Sequence, residues 1–526
     1  MVTTHPREFV ARRGGFHRIM NVLPSRLGGR FQSLVSGQGT RSRALRGSFW
    51  TVAGFGGGQI LRLGANLILT RLLAPDAFGL MALINVFLIG LEMLSDLGVH
   101  AAIIHNKRGD DPDFLCTAWT IGVIRGVLLW LVACLIAWPA AVFYNEPRLR
   151  LMIPVSGLIV LITGFQTTAM AQHNRHMNLE RLTILQLVAQ AINLLVMVLL
   201  AWQMRSVWAL VIGGVAGAIV QVTLAHFLLP GIRHRFALNR DDVLEIVRFG
   251  KWLFFATAIG YVAGQASDKL ALGKLVDQET LGIYSMAFML AQLPSSVVAV
   301  LIGRVLYPVL AEASRQNCSR FGEKLRRARA AIWPPLMVLI LGLGFFGPLT
   351  FRLLWDPRYH SAGWMLQLML AVIWLDGLNC SLNAALLARG DSFASAVQNA
   401  ISLVIGIPGM IVGYTMYELP GLIFAITVGR LCAHMVLHWM LSRRSIPVWR
   451  QDFSLHLIML VYAALIYLAS GGEVSIPDGN RLSVGTLAHG DKSAVAVAIV
   501  SLFSAVWLWW SLRHRTPAVA SVAESF

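Results

Sequence analysis

The chain has 526 residues, 56% of them hydrophobic and only 13% charged, with a mean hydropathy of +0.65. That balance excludes an ordinary soluble protein of this length and leaves no long polar block for a soluble catalytic domain. The net charge of +18 is scattered between apolar runs, which excludes a folded basic domain for nucleic acid and leaves charge free to orient a membrane protein.

Residues 1–46 hold nine arginines and one acid and lack the apolar stretch of a signal peptide. A basic cytoplasmic tail attracted to anionic inner-leaflet lipid is expected there. Apolar runs near 20 residues then recur at 48–70, 77–98, 117–143, 149–171, 182–203, 207–229, 252–273, 282–306, 330–353, 362–388, 394–415, 420–441, 455–470 and 493–512. Each can cross a hydrocarbon core of roughly 30 Å, and backbone groups in lipid must be satisfied within the segment. The expectation is an all-α polytopic membrane protein with about 14 transmembrane helices. With the N-terminus inside, 30 of the 44 Lys and Arg residues lie inside and 9 outside, counting Arg150 and Arg352 at span ends. The positive-inside rule therefore places both termini in the cytoplasm. The five cysteines are scattered, with no CxxC pair, and suggest neither a disulfide framework nor a zinc site.

"TRLLAPDAFGLMA", from Thr70, returns 203 residues later as "GKLVDQETLGIYS", from Gly273. Arg71 precedes Gly79 by eight residues, as Lys274 precedes Gly282. Six predicted spans intervene, an even number, so both copies point the same way across the membrane. This is the pattern of a parallel repeat about an axis along the membrane normal. Two six-helix lobes are expected, at 47–230 and 252–441, joined by a cytoplasmic linker at 231–251. Residues 442–526 would add two helices, an outer loop and a short cytoplasmic tail. Pro75, Asp76, Asp277 and Gln278 supply turn chemistry, and Gly79 and Gly282 fit tight starts to the helices that follow. Arg71 and Lys274 are expected at the outer water interface.

The same offset sets Arg62 opposite Gln265 and Asn66 opposite Lys269. Gly54, Gly58, Arg62 and Asn66 share one helical face in the first span, and Tyr261, Gln265 and Lys269 share one in the seventh. Lipid rejects such stripes, so both should face a central cavity between the lobes.

At these residues the sequence resembles a known family. "LTRLLAPDAFGLMAL" with "LSDLGVHAAIIH" resembles the start of the polysaccharide-transporter branch of the MOP flippase superfamily. "SDKLALGKLVDQETLGIYSMAFMLAQLPSSVVAVLIGRVLYPVLAEAS" and "WPPLMVLILGLGFFGPLTFRLLWDPRY" are similar to its seventh to ninth helices. The likeness spans roughly residues 45–445. It implies two lobes around a V-shaped cavity that rock between inward- and outward-open forms. It also implies a cargo, a polyprenyl-pyrophosphate-linked oligosaccharide moved to the outer leaflet of a bacterial inner membrane. Membrane lipid, and polysaccharide polymerase or export machinery, are the partners in view; nucleic acid is not.

A pyrophosphate needs cations, and the arginine fork pairs bidentately with phosphate oxygens. Arg62, Arg125 and Arg430 lie deep in their spans and are expected to bind substrate, with Lys269, Asn66 and Gln265. Arg304, like Lys269, lies near a span end, where a long side chain snorkels to the interface. Glu92 and Asp376 lie deeper than Asp96 and Asp268; the first pair suits either ion coupling or charge neutralisation, the second pair neutralisation. His434 and His438 lie one turn apart, but the neighbouring sequence supplies no further metal ligand. His173 and His176, in "QHNRHMNLER", are expected to be solvated. No phosphate-cradling G-x-x-x-x-G-K-[ST] occurs, so no ATP hydrolysis is expected. No catalytic residue, metal site or cofactor is assigned. Two rival functions stay open, a polytopic glycan polymerase or glycosyltransferase, and a drug/cation antiporter of the same superfamily.

Overall fold

A chain this apolar satisfies its backbone by coiling, and the described residues contain helices and turns with no strand. The computed structural model describes residues 40–93, 99–106, 108–176, 178–232, 234–246, 261, 266–316, 320–391, 393–444, 446 and 448–469. Most of the basic tail, Asp96, Gln265, most of the predicted seventh span, the 470–492 loop and the predicted last span lie outside them.

The first half runs α1 (Thr40–Leu72), α2 (Pro75–Met93), α3 (Val99–His105), α4 (Pro112–Phe143), α5 (Leu149–Gly164), α6 (Ala169–Arg175), α7 (Leu179–Met204) and α8 (Trp208–Leu228). The second runs α9 (Ser267–Leu275), α10 (Gln278–Leu301), α11 (Tyr307–Arg315), α12 (Phe321–Leu354), α13 (Ala362–Ala388), α14 (Phe393–Ser442) and α15 (Trp449–Ala469). Among the described residues eight helices are long and apolar enough to cross a membrane, or nine if α5 and α6 form one bent span.

Local chemistry sets several of these boundaries. Pro112 opens α4 behind Asp111, whose carboxylate accepts from the backbone N–H of Asp113. The predicted span at 149–171 is bent by 59° between α5 and α6. The spans predicted at 394–415 and 420–441 are two arms of α14. The chain breaks between them at Tyr417 and Glu418, where Glu418 has φ 51°. Gly413 and Gly421 bring the two arms into backbone contact beside this break.

Large apolar side chains such as Leu135, Trp202 and Leu195 stand exposed on α4 and α7, as lipid-facing surfaces require. α13 is the reverse case. About two-thirds of its apolar stretch is buried, and it packs against α10, α12 and α14. A polar group on α13 therefore meets protein.

Candidate functional site

The site is built outward from the repeated turn. Helix α1 ends at Leu72 and α9 at Leu275; α2 begins at Pro75 and α10 at Gln278. Both pairs are 203 residues apart, the offset of the sequence echo. The two new helices then cross each other. A Cβ on Gly79 would strike the Gln278 carbonyl and lie 3.0 Å from the Gly282 nitrogen. One on Gly282 would strike the Pro75 carbonyl and lie 3.0 Å from the Gly79 nitrogen. The glycines thus serve this backbone-to-backbone crossing as well as the turns expected of them.

Contacts around the crossing are swapped between the halves. Arg71, at the end of α1, donates to the Leu354 carbonyl at the end of α12 (3.5 Å). Lys274, at the end of α9, donates to the Phe143 carbonyl at the end of α4 (2.5 Å). Each repeat cation therefore caps a helix C-terminus in the other half, where unsatisfied carbonyls attract positive charge. Two tyrosines repeat the exchange. The Tyr359 hydroxyl donates to Leu73 O (3.2 Å) and the Tyr144 hydroxyl to Leu270 O (3.3 Å). Beside them Arg148 pairs with Asp76 at 3.2 Å and Glu146 at 2.8 Å. Its hydrogen bonds hold the Glu146 carboxyl below the usual range, and Glu146 in turn raises the arginine.

From this crossing the polar stripe of α1 leads inward. Arg62 lies ten residues before Leu72, about 15 Å along the helix. One turn on, Asn66 donates to the Met289 sulfur on α10 at 3.0 Å, and one turn back the Gly58 carbonyl accepts from Gln190 on α7. Arg62 thus lies on the face that turns from α7 toward α10, and its side chain is exposed. Arg125 on α4 donates to the backbone carbonyl of Glu92 at the end of α2 (2.8 Å), and both side chains are half-buried.

The second half gathers its own set. Lys269 stands 4.1 Å over the Phe288 ring, and buried Asp268 beside it accepts from the Tyr284 hydroxyl at 2.8 Å. Arg430 on α14 pairs with Asp376 on α13 at 3.0 Å, the arginine buried and the carboxylate 36% exposed. Of the expected residues, the structure brings together Arg125 with Glu92 and Arg430 with Asp376, while Asn66 meets Met289 and Lys269 meets Phe288. Gln265 lies outside the described residues, as does the Arg304 side chain.

Of the two histidines expected to be solvated, one departs from that expectation and one does not. His173 is buried and donates to Ala169 O at 2.8 Å, because α6, bent by 59° from α5, packs against α3 and α7. His176 stays exposed and pairs with Asp110 at 2.9 Å. A larger polar cluster joins α12, α14 and α15. There Arg329 and Asp452, both buried, lie 2.5 Å apart beside His434 and His438. The donor missing from the sequence around the histidine pair is thus supplied by Asp452. Its only sequence signal was a second one-turn pair, Asp452 and His456, early in the next helix.

Chemically, these groups offer guanidinium and ammonium donors, which suit an anion. The family described as polysaccharide biosynthesis protein matches residues 68–345. The chain is 24% identical over 295 residues to the amylovoran biosynthesis protein AmsL of Erwinia amylovora, covering 55% of this chain and 74% of that one. It is 23% identical over 397 residues to the lipopolysaccharide biosynthesis protein WzxC of Escherichia coli (strain K12), covering 72% and 76%. In fold it is similar to the lipid II flippase MurJ in an inward closed conformation. The TM-score is 0.64 at 13% identity, over 88% of this chain and 99% of that one.

Proposed function

This chain belongs to the polysaccharide biosynthesis protein family, in the branch its sequence resembles, and from that premise we propose that it is a flippase. Its cargo is a polyprenyl-pyrophosphate-linked oligosaccharide, moved across the bacterial inner membrane for surface polysaccharide synthesis. In this proposal two six-helix lobes (47–230 and 252–441), joined by the 231–251 linker, alternate access to one cationic cavity. Two further helices in 442–526 complete a set of about 14, with both termini and the basic tail inside. Arg62, Arg125, Lys269 and Arg430 receive the pyrophosphate, Asn66 and Gln265 the glycan, and Glu92 and Asp376 carry a coupling ion. Polysaccharide polymerase or export machinery takes the delivered product.

The observation that carries the proposal is the swapped capping at Arg71 and Lys274 around the Gly79–Gly282 crossing. Reciprocal contacts at one end can break and reform as a unit, and the cations beyond them then face alternate sides. The cargo rests on the family and on the depth of the arginines. A membrane polymerase is disfavoured because the predicted outer loops are short except at 470–492, and that loop, "SGGEVSIPDGNRLSVGTLAHGDK", holds no paired carboxylates. An antiporter for cations would place acids rather than arginines at depth.

The test uses a deletion strain and purified protein. Deletion should accumulate a lipid-linked oligosaccharide on the cytoplasmic leaflet, and proteoliposomes should move it under an ion gradient without nucleotide. A strict ATP requirement, or no lipid-linked intermediate, would overturn the proposal.

A further inference from the structure

The cluster between α14 and α15 begins one turn beyond Arg430 and has the chemistry of a metal site. His434 and His438 lie one turn apart on the second arm of α14, and Asp452 enters from the first turn of α15. His434 Nε2, His438 Nε2 and Asp452 Oδ2 form a triangle with sides of 3.2, 2.7 and 3.5 Å. A tetrahedral zinc ion, with bonds of about 2.0–2.1 Å, holds its ligand atoms about 3.3 Å apart. Two sides already match that spacing, and the third needs to open by about half an ångström.

The surroundings prepare these atoms as ligands. His434 Nδ1 donates to the Asn379 side-chain oxygen at 2.8 Å, which leaves Nε2 with its lone pair toward the triangle. Asn379 is itself fixed, donating to the Arg430 carbonyl at 3.1 Å. Arg329 holds the other oxygen of Asp452, so Oδ2 alone turns toward the histidines. Although Oδ2 lies 2.7 Å from His438, it is buried and makes no well-aligned hydrogen bond. These are the outer contacts that orient metal ligands elsewhere in proteins. His434 and Asp452 are buried while His438 is 18% exposed, which leaves one side of the site open at the protein surface. His456 is engaged differently, since its Nδ1 accepts from the Trp374 indole at 3.3 Å.

We propose that His434, His438 and Asp452 bind a divalent transition-metal ion of the zinc class, with the fourth position filled by water. Two imidazoles and one carboxylate suit such an ion better than magnesium or calcium, which take oxygen ligands. The neighbouring Arg329 cation opposes the metal charge, so binding is reversible rather than permanent. Bound metal ties α15 to α14 at the end that carries Arg443, Arg444 and Arg450, and stiffens the junction where the repeat ends and the extra helices begin.

The test is cobalt titration of full-length protein, purified in detergent through a tag without histidine. One cobalt ion per chain should bind with the visible absorption of four-coordinate cobalt, and zinc should displace it. His438→Ala, at the most accessible ligand, should abolish that spectrum while the protein still elutes as one species. His438→Cys should restore it with an added thiolate charge-transfer band. Asn379→Ala should weaken binding by about 10- to 100-fold, as loss of a positioning residue does. Wild-type protein that binds no stoichiometric cobalt overturns the proposal without recourse to any variant. Equal binding by wild type and His438→Ala overturns it as well.

Discussion

Gly79 and Gly282, 203 residues apart, each occupy the space where the other's helix would need a side chain. A Cβ on either would fall on carbonyl backbone, which cannot rotate away. Gly79→Ala and Gly282→Ala should each cost about 1–3 kcal/mol, as overpacking does, and lower the unfolding temperature in detergent. Gly64 and Gly303 meet nothing within 4 Å, so alanine there should leave the midpoint almost unchanged. Equal behaviour of the two pairs would show that the crossing does not constrain the fold.

Arg71 and Lys274 cap each other's half of the molecule from exposed positions, so neither alone is expected to hold that end shut. Single alanine variants should keep most transport. The double variant should open the end they share, and a cysteine at Asn66 should then react faster with an impermeant thiol reagent added outside. An unchanged labelling rate would separate the caps from closure.

Arg62 tests the proposed cationic cavity directly, because its exposed side chain stands on the stripe face between α7 and α10. Arg62→Lys should retain partial transport, since the charge remains but the bidentate fork is lost. Arg62→Ala should lose more, and Arg62→Glu should abolish transport by repelling the pyrophosphate. Complementation of a deletion strain, with membrane levels checked by immunoblot, ranks the three. Full activity from well-inserted Arg62→Glu would remove Arg62 from the cavity.

Arg430 differs because it is buried against Asp376. Arg430→Ala leaves the Asp376 carboxylate without its partner and should lower membrane levels. Arg430→Gln with Asp376→Asn should recover those levels but not transport. Recovery of both would reduce the pair to a structural role.

The Arg148 bridge predicts a pH effect at the same end as the glycine crossing. Hydrogen bonds from Arg148 lower the folded-state pKa of Glu146 below its value in the unfolded chain. The bridge therefore stabilises the fold at neutral pH, and the contribution fades as pH falls through the folded pKa. Unfolding midpoints from pH 7 down to pH 3 should fall more steeply for wild type than for Arg148→Ala. The difference should be small, since the arginine is half exposed and solvent screens it.

What the sequence determined by itself was everything set by local apolar length and by repetition. A run of about 20 apolar residues must be a helix in lipid, and most spans across the described residues were legible for that reason. The 203-residue echo was legible too, because the same turn chemistry ends one helix and begins the next in both copies. Even the deep arginines stood out, since lipid makes an intramembrane charge conspicuous in any apolar run. Tertiary structure alone decided which groups meet. Nothing local says that Arg71 caps α12 while Lys274 caps α4, that Asp376 takes Arg430, or that Asp452 joins His434 and His438. Those pairings follow from how helices cross, and a crossing depends on side-chain shape across segments hundreds of residues apart. Hydropathy records the depth of a residue in the membrane; it carries no information about the neighbour waiting there.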